Sequence, residues 1–293
     1  MEQEIVEKYK KAGKIAKDVL GYGKELIRKG AKVLDVCNKI EEKIFSLGAK
    51  PAFPVQISMN ETAAHFCPED SNEDVFSDQV VSLDIGVHID GYIGDTACTI
   101  DLSGDNSDLV KASQEALRAA IETVKIGVRL SEIGKIIEET ITSYGFKPVR
   151  NLSGHGLGRY NIHSAPTIPN FDTNEEAKIE KGAIAIEPFA TNGFGLIQEK
   201  GEPSIFSLVG KKPVRIDFVR KILKQIENYN GLPFTTRWLT KNFSEVQVRY
   251  ALNQFKELKI LREYPPLVEK QGGLVSQAEH SLLVDEEVVL LTR

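Results

Sequence analysis

Two aspartates, Asp84 and Asp95, have the spacing to bind a metal ion together. Asp90 and Gly91 lie between them, flanked by apolar-rich runs, which is a strong signal for a two-residue β-hairpin turn. With that turn, Gly86 pairs with Asp95, and Asp84 becomes its diagonal neighbour on the same face, roughly 7–8 Å away. Two carboxylates directed at one point repel each other unless a cation lies between them. The pair therefore predicts a divalent metal site, with a hairpin carrying two solvated acids as the alternative.

Three further side chains have types and surroundings that suit metal binding. His155 lies in a glycine-rich polar segment, without the apolar neighbours of a core histidine. Glu187 and Glu279 each interrupt an apolar run that we interpret as a buried strand, where an unpaired carboxylate is costly and needs a cation or a proton. A structural salt bridge could explain either glutamate alone. With the two aspartates they form an oxygen-rich set with one imidazole, which suits paired Mn, Fe or Co and can accept Zn.

An internal repeat indicates which elements position these side chains. Residues 30–51 and 127–148 align without a gap, and each has the pattern of an amphipathic helix that ends at Gly and then Pro. Each copy follows another helical run, at residues 5–27 and 108–125. Strand-like segments come after each copy, at residues 53–58, 80–88, 92–101, 149–154, 165–168, 183–190 and 194–199. Two helical pairs that each lead into a mostly antiparallel sheet predict a duplicated, pseudo-symmetric α+β fold with its site between the halves.

Residues 211–268 differ from this pattern. An apolar helical face that begins at Val219 and a capping box from Ser244 to Gln247 predict two helices, followed by a short extended stretch. We interpret them as a winged-helix-like subdomain inserted into a catalytic domain made of residues 1–210 and 269–293. Its basic residues include Arg215, Arg220, Lys221, Lys224, Arg237, Lys241, Arg249, Lys256, Lys259 and Arg262. Such a unit either docks on nucleic acid or packs beside a site and shapes it, and we favour the second role because no arginine run with interleaved aromatics is present.

Length, composition, net charge and cysteine content restrict the possible classes of protein. The chain has 293 residues, 41% of them hydrophobic and 27% charged, which is ordinary for a globular protein. Its net charge of -5 argues against global nucleic-acid affinity, and no apolar run approaches the ~18–20 residues of a membrane span. The charged start is not a signal peptide. Three scattered cysteines, Cys37, Cys67 and Cys98, suggest reduced thiols and a cytoplasmic protein, with Cys37 and Cys98 in the core.

The order of Asp84, Asp95, His155, Glu187 and Glu279, together with the sequence motifs around them, resembles that of the methionine aminopeptidases. The motifs are Asp-Ile-Gly-Val-His-Ile-Asp-Gly, Ser-Gly-His-Gly and Ala-Ile-Glu-Pro-Phe-Ala. The similarity covers essentially the whole chain. The helical insert is similar to that of the type 2 enzymes, and the absence of a long charged extension makes the chain most similar to an archaeal one. The resemblance implies the pita-bread fold, two α+β halves around a dimetal centre, which agrees with the internal repeat.

The resemblance also implies residue roles. Asp84 would bind one metal through both oxygens, Asp95 and Glu279 would bridge two metals, and His155 and Glu187 would complete the ligand shell of the second metal. A bridging water between cations ~3.5–4 Å apart would become the nucleophile. Glu187 would shuttle a proton to the leaving amine. By the same resemblance His65 and His163 are the two catalytic histidines, and the wall of the methionine pocket is formed by Phe53, Pro54, Ile162 and Tyr264.

The implied activity is removal of the N-terminal methionine from nascent proteins, with a preference for a small second residue. The metals are Co, Mn, Fe or Zn. We expect a monomer without membrane or specific DNA binding, and transient ribosome association through the basic insert. One departure from the family is Ala278, where a large aromatic is usual, and we expect it to alter packing beneath the metal.

Two alternatives stay open at this point. The same fold serves X-Pro peptidases, although the type 2-like insert argues against them. Noncatalytic relatives keep the fold as binding modules but lose metal ligands, whereas all five ligand positions are present here. Two other histidines are placed outside the site: His88 is expected to be peripheral because it lies near the hairpin turn, and His280 to point to the face opposite Glu279.

Overall fold

The computed structural model describes residues 1–293. The helices are α1 (Gln3–Leu26), α2 (Val33–Ser46), α3 (Ser107–Thr123), α4 (Leu130–Ser143), α5 (Asp217–Glu227), α6 (Thr236–Thr240) and α7 (Glu245–Glu257). The strands are β1 (Lys50–Pro51), β2 (Gln56–Met59), β3 (Thr62–Ala64), β4 (Val80–Ile89), β5 (Tyr92–Asp101), β6 (Lys147–Pro148), β7 (Ser153–Gly158), β8 (Asn161–Pro169), β9 (Gly182–Ile186), β10 (Phe189–Thr191), β11 (Ile197–Glu199), β12 (Ile205–Leu208), β13 (Phe234–Thr235), β14 (Leu261–Tyr264), β15 (Leu267–Glu269), β16 (Val275–Gln277), β17 (Glu279–Val284) and β18 (Val288–Leu290).

The predicted repeat is confirmed as two equivalent helical pairs, α1 with α2 and α3 with α4. Just after α2 and α4, Gly48 has a φ of 74° and Gly145 a φ of 82°. Glycine adopts this left-handed conformation without steric cost, so both helices end in the same way. A two-residue strand then follows in each copy, Lys50–Pro51 in the first and Lys147–Pro148 in the second. The fold is therefore built from two copies of one α+β unit.

A nine-stranded sheet joins the two copies. Its central path is β1-β4-β5-β17-β9-β7-β8, with β2 paired to β4 and β18 paired to β17. Every strand pair in it is antiparallel. The predicted hairpin register is confirmed, since Ile89 pairs with Tyr92 and Gly86 with Asp95. The C-terminal strand β17 lies between β5 of the first copy and β9 of the second, and so closes the sheet.

The helices cover one face of this sheet. In β4 the side chains of Val81, Leu83, Ile85 and Val87 pack into a core with α1 and α2. The corresponding core of the second copy joins α3 and α4 to β9 and β17. Because side chains alternate along a strand, Asp84 lies on the other face of β4, away from the helices. One face of the sheet therefore packs against the helices, and the other face is left for a functional site.

Two predicted strands differ from the structure. The run 183–190 is broken, with β9 ending at Ile186 and β10 starting at Phe189. Pro188 lacks the N–H that a continuous ladder requires, so Glu187 lies at a break and not inside a strand. The strand predicted at residues 149–154 is also wrong for most of its length, since β6 ends at Pro148 and β7 begins at Ser153. The gap contains a turn at Arg150 and Asn151, and Asn favours turns.

The segment between β11 and β15 forms a smaller layer beside the sheet. Helices α5, α6 and α7 pack together with a three-stranded sheet of order β13-β12-β14 around their own apolar core. The two predicted helices are confirmed, with the predicted face of α5 buried and the capping box present at the start of α7. The small sheet includes β12, which begins at Ile205. None of the helices in the protein is both long enough and apolar enough to cross a membrane.

A buried ion pair attaches this layer to the first helical pair. The guanidinium of Arg237, 1% exposed, donates to the carboxylate of Glu41 on α2 at 2.8 Å. It also donates to the carbonyl oxygen of Pro68, and Trp238 donates its indole N–H to Glu41. Arg237, which the sequence placed among the surface cations, is thus a buried anchor. A charge can be buried in this way when its partner is fully hydrogen-bonded.

Replacing Arg237 by Ala is expected to lower the free energy of unfolding by about 3–5 kcal/mol, because Glu41 is left buried without its counter-charge. Chemical denaturation followed by circular dichroism measures the change. Arg220→Ala is the matched control, since Arg220 belongs to the same layer but pairs with Asp217 in solvent. The control should cost at most about 1 kcal/mol. Equal losses in the two variants would contradict an anchoring role for the buried pair.

Candidate metal centre

Three carboxylates meet on the open face of the large sheet because of strand register. Ala97 on β5 pairs with Asp84 on β4 and with Glu279 on β17. Directly paired residues share a face, so the side chains of Asp84 and Glu279 lie on either side of Ala97. Asp95 is two residues before Ala97 on β5 and therefore points to the same face. The hairpin prediction and the strand prediction for Glu279 are both confirmed, and together they bring three acids to one point.

The second copy contributes an imidazole and a fourth carboxylate. His155 on β7 pairs with Ala185 on β9, and Glu187 follows the end of β9. The Nε2 atom of His155 lies 3.4 Å from Oε1 of Glu187 and 3.9 Å from Oδ2 of Asp95. Ligand atoms of Asp95, His155 and Glu279 all lie within 4.8 Å of one another. All five predicted ligand positions thus converge between the two halves of the sheet.

The electrostatics of this cluster require a positive charge. Burial raises the pKa of Asp84 to about 7, and burial together with the neighbouring acids raises the pKa values of Asp95, Glu187 and Glu279 well above their usual range. Oδ1 of Asp84 and Oδ1 of Asp95 are buried and have no hydrogen-bond partner. Carboxylates are not left unpaired in this way unless a proton or a cation satisfies them. The cluster fits divalent cations, whose binding would displace the protons.

The imidazole of His155 has the tautomer and the charge of a metal ligand. Its Nδ1 lies 3.3 Å from the carbonyl oxygen of Gly156, which can only accept a hydrogen bond. The proton is therefore on Nδ1, and the lone pair of Nε2 faces the acids. Burial and the neighbouring His163 lower the pKa of His155 to about 3, so the ring is neutral at pH 7. Four hard oxygen donors and one imidazole form a set that suits Mn, Fe or Co and accepts Zn.

His65 and His163, to which the resemblance gives catalytic roles, lie beside the acids. His163 on β8 contacts the ring of His155 edge-on, with ring centroids 4.7 Å apart. His65 follows β3 in a left-handed conformation with a φ of 65°, and its backbone N–H donates to the side chain of Gln56 at 2.5 Å. Its Nδ1 donates to the carbonyl oxygen of Pro265 at 3.3 Å, which leaves Nε2 as an acceptor. Burial lowers the pKa of both rings, that of His65 to about 4.

A cavity of about 240 Å³ opens over the four acids and the imidazole. It is lined by His65, His163 and the apolar side chains of Phe53, Ile162 and Tyr264. The ring of Tyr264 meets that of His65 edge-on, 5.5 Å between centroids. Pro54 is buried but does not line the cavity.

Sequence reasoning missed several polar residues of the cavity and of its floor. Gln56 on β2 pairs with Asp84 and lines the cavity. Asn151, which precedes β7, and Ser153, at the start of β7, also line the cavity. Gln277 lies beside the carboxylate of Asp84 and opposes the effect of burial on the pKa of that group. The one available signal was strand parity, because Gln56 and Ser58 alternate with apolar residues in β2.

The two remaining histidines lie outside the centre, as predicted. Nδ1 of His88 accepts a hydrogen bond from the backbone N–H of Gly91, and its ring packs against Tyr160. His280 points away from Glu279 and contacts the hydroxyl of Thr292 at 2.9 Å. Ala278 is buried in the core with α3 and α4. These residues support the sheet from the helix side or from its edge.

Comparison with known proteins assigns the chain to a family. Residues 7–218 match the metallopeptidase family M24. The chain belongs to metallopeptidase family M24. It is 49% identical over 295 residues to the methionine aminopeptidase of Archaeoglobus fulgidus, covering 100% of this chain and 99% of the relative. It is 45% identical to the methionine aminopeptidase of Methanocaldococcus jannaschii, with the same coverage.

Solved structures agree with the family assignment. The crystal structure of methionine aminopeptidase from Thermotoga maritima has a TM-score of 0.74 at 26% identity and covers 100% of this chain and 98% of its own. The structure of a thermophilic Arx1 has a TM-score of 0.84 at 16% identity, and covers 99% of this chain and 91% of its own. The prolidase of Pyrococcus furiosus, at 20% identity and a TM-score of 0.64, shares the fold over 64% of its length. The family M24 fold is the α+β pita-bread fold that the sequence predicted.

Proposed function

We propose that this protein is a methionine aminopeptidase of type 2, which removes the N-terminal methionine from nascent proteins and peptides. The observation that carries the proposal is the convergence of four acids and one imidazole beneath a narrow apolar cavity. The full-length relatives named above bear the same activity in their names. An X-Pro peptidase would share the acids and the imidazole, but the extra helical layer and the close full-length relatives favour methionine removal.

We assign two divalent metal ions, Co, Mn, Fe or Zn, to the five ligand side chains. Asp84, which has an unpartnered oxygen, would hold the metals together with Asp95 and Glu279, which lie on the same face of adjacent strands. His155 and Glu187, 3.4 Å apart, would provide the remaining ligands. When bound, the metals would supply an acidified water as the nucleophile.

The chain's own residues would handle the protons and the substrate. Glu187, at the edge of the acids and 14% exposed, would take a proton from the attacking water and deliver it to the leaving amine. His163, a neutral ring beside His155, would donate a hydrogen bond to the oxygen of the scissile carbonyl as charge develops on it. His65, whose Nε2 is an acceptor, would hold the N–H of the scissile peptide. The free α-amine of the substrate would reach the metals, which limits cleavage to the first residue.

Methionine selectivity would come from the apolar wall of the cavity. Phe53 lies directly against Gly86, where any side chain would collide with its ring. Ile162 and Tyr264 close the remaining sides, so an unbranched thioether fits and a branched residue does not. A preference for a small second residue would follow from the crowded imidazoles of His65 and His163. Pockets of this kind discriminate by about 1–3 kcal/mol per methylene, so close analogues of methionine would be cleaved slowly.

Gly86→Ala is expected to displace Phe53 and lower kcat/KM for a methionyl peptide by roughly ten- to a hundredfold, because overpacking costs about 1–3 kcal/mol. The loss should appear mainly in KM, since the three atoms nearest to the added methyl group all belong to the ring of Phe53. Gly182→Ala is the matched control, because a Cβ at that position of the same sheet meets nothing within 4 Å. A fall in kcat with unchanged KM would contradict the assignment of Phe53 to the methionine pocket.

The decisive assay measures release of methionine from the peptide Met-Ala-Ser by metal-stripped protein, with Mn, Co, Fe or Zn restored singly. Activity should return with metal and be lost in Glu187→Gln, since the amide cannot carry the proton. Loss of about two to four powers of ten is usual for removal of a general base.

An Ala-Pro-Ala peptide is the control for this assay. Cleavage of that peptide in place of the first would move the assignment to an X-Pro peptidase. Folded, metal-binding protein that cleaves neither peptide would overturn the peptidase proposal and favour a binding module.

We also propose that residues 211–268 are a winged-helix-like subdomain inserted into a catalytic domain of residues 1–210 and 269–293, and that they shape the cavity. Pro233 and Tyr264 from this region line it, together with Ile205. The region carries twelve Lys and Arg against five Asp and Glu, in a chain whose net charge is -5. This excess supports transient docking on the ribosome, a polyanion, without specific DNA recognition. We place the protein in the cytoplasm as a monomer, in keeping with its three free thiols.

Ribosome docking should be salt-sensitive and should be lost when Arg220, Lys221 and Lys224 on the exposed side of α5 are changed to Glu. Co-sedimentation with ribosomes measures it. A variant with the same number of charge reversals at Lys10, Lys11 and Lys14 on α1 is the matched control and should bind as the parent does. Binding that survives the α5 changes, or that fails equally in both variants, would contradict docking through the insert.

A further inference from the structure

Two cysteines that are distant in sequence meet behind the catalytic face. Cys37 lies on α2, and Cys67 lies in the segment that follows β3; both are buried. Their Sγ atoms contact the same nitrogen, Nη2 of Arg237, at 3.1 Å and 3.5 Å. Two sulfurs that contact one nitrogen lie in the same buried cluster, near enough for a small shift to bring them together. Nothing in the proposed peptidase reaction uses this cluster.

We propose that Cys37 and Cys67 are a modification site, a thiol pair that hydrogen peroxide converts to a disulfide. A soft metal ion is the other ligand that two thiols suggest, but the guanidinium of Arg237 already lies against both sulfurs and would repel it. A cation at this position instead stabilises a thiolate, which is the reactive form of cysteine.

The surroundings make the two thiols unequal. Burial raises the pKa of Cys67, but the neighbouring thiol of Cys37 and the charge of Arg237 outweigh it and leave that pKa below the usual range. Burial and the neighbouring thiol of Cys67 raise the pKa of Cys37. Cys67 is therefore the thiolate that reacts first, and Cys37 is the thiol that reacts second. Cys98, whose pKa burial raises to about 12, has no such activation.

An open cavity reaches the side chains that hold the pair. A cavity of about 390 Å³ is lined by Asn38, Glu41 and Arg237, and the latter two belong to the cluster around the sulfurs. Asn38 also accepts a hydrogen bond from Arg237. Peroxide that enters this cavity meets the guanidinium that holds the thiolate. A larger thiol reagent would be excluded, because neither sulfur lines the cavity itself.

The chemistry is balanced with hydrogen peroxide as the oxidant. The Cys67 thiolate attacks one peroxide oxygen, an S–O bond forms, the O–O bond breaks, and the departing hydroxide takes up a proton to become water. Cys67 is then a sulfenic acid. The Cys37 sulfur attacks it, the S–S bond forms, the S–O bond breaks, and the leaving hydroxide takes the Cys37 proton as a second water. Two electrons pass from the thiols to the peroxide.

The disulfide would affect the catalytic face through one short segment. Cys67 is two residues after His65, and the hydroxyl of Ser204 donates to the carbonyl oxygen of Cys67 at 2.8 Å. Drawing the sulfur of Cys67 toward α2 would shift His65 and would weaken the hold of Arg237 on both segments. This consequence rests on the proposed function, whereas formation of the disulfide does not.

The first test is chemical and needs no activity. The metal-loaded protein is treated with hydrogen peroxide, and its peptides are mapped by mass spectrometry without reduction. The Cys37–Cys67 linked peptide should appear in the parent and equally in the Cys98→Ser control. In Cys37→Ser the sulfenic acid of Cys67 should instead persist and be trapped by dimedone. Absence of the linked peptide from the oxidised parent, or dimedone labelling of Cys98 in place of Cys67, would overturn the proposal.

The second test measures kcat/KM for Met-Ala-Ser after peroxide is removed and metal is restored. We expect a fall of roughly tenfold or more in the parent and in Cys98→Ser, because small displacements of positioned groups are costly, and full recovery with dithiothreitol. Cys37→Ser should show no recoverable loss. If the linked peptide forms while kcat/KM stays unchanged, the coupling between the thiol pair and His65 is wrong. If the reduced parent has no activity, the proposed function fails while the first test still decides the disulfide.

Discussion

The structure depends on four carboxylates that are held together away from water. Burial raises the pKa values of all four, that of Asp84 to about 7, and repulsion from neighbouring acids adds to the shift at the other three. A fold accepts such a group of acids only if the surrounding framework is rigid and a cation compensates their charge. The apolar cores under α1 with α2 and under α3 with α4 supply the rigidity. Stability and function are therefore separated on the two faces of one sheet.

Duplication explains how the acids come from distant parts of the chain. The first copy provides the hairpin with Asp84 and Asp95, and the second provides His155 and Glu187. Neither copy alone closes the site, because Glu279 arrives on β17 and this strand pairs with β5 on one side and β9 on the other. No strand between Glu187 and Glu279 in sequence belongs to the nine-stranded sheet. An extra layer of helices can therefore be accommodated there without interrupting the strands that carry the ligands.

Local signals were enough to predict much of the centre. The Asp90-Gly91 turn fixed the register of the hairpin, because Asp90 adopts a φ of 51° and Gly91 a φ of 89°, as a two-residue turn of this kind requires. Strand parity then placed Asp84 on the open face. The strand through Glu187 could not be predicted correctly from apolar pattern alone, because Pro188 ends the ladder there. Arg237, Cys37 and Cys67 were beyond sequence reasoning, since their contacts join residues separated by up to 200 positions.

The layer formed by α5, α6 and α7 belongs to the site more than to a separate partner. A sequence that is basic over this stretch suggests a surface for polyanions, yet the one arginine that is fully buried, Arg237, is used to fasten the layer to α2. A unit that only carried a binding face would not need a buried ion pair with the catalytic part. Because Pro233 and Tyr264 line the cavity, a shift of this layer would change the shape of the pocket. Substrate selection and the anchoring of Arg237 are thus mechanically linked, through a contact far from the metal ligands.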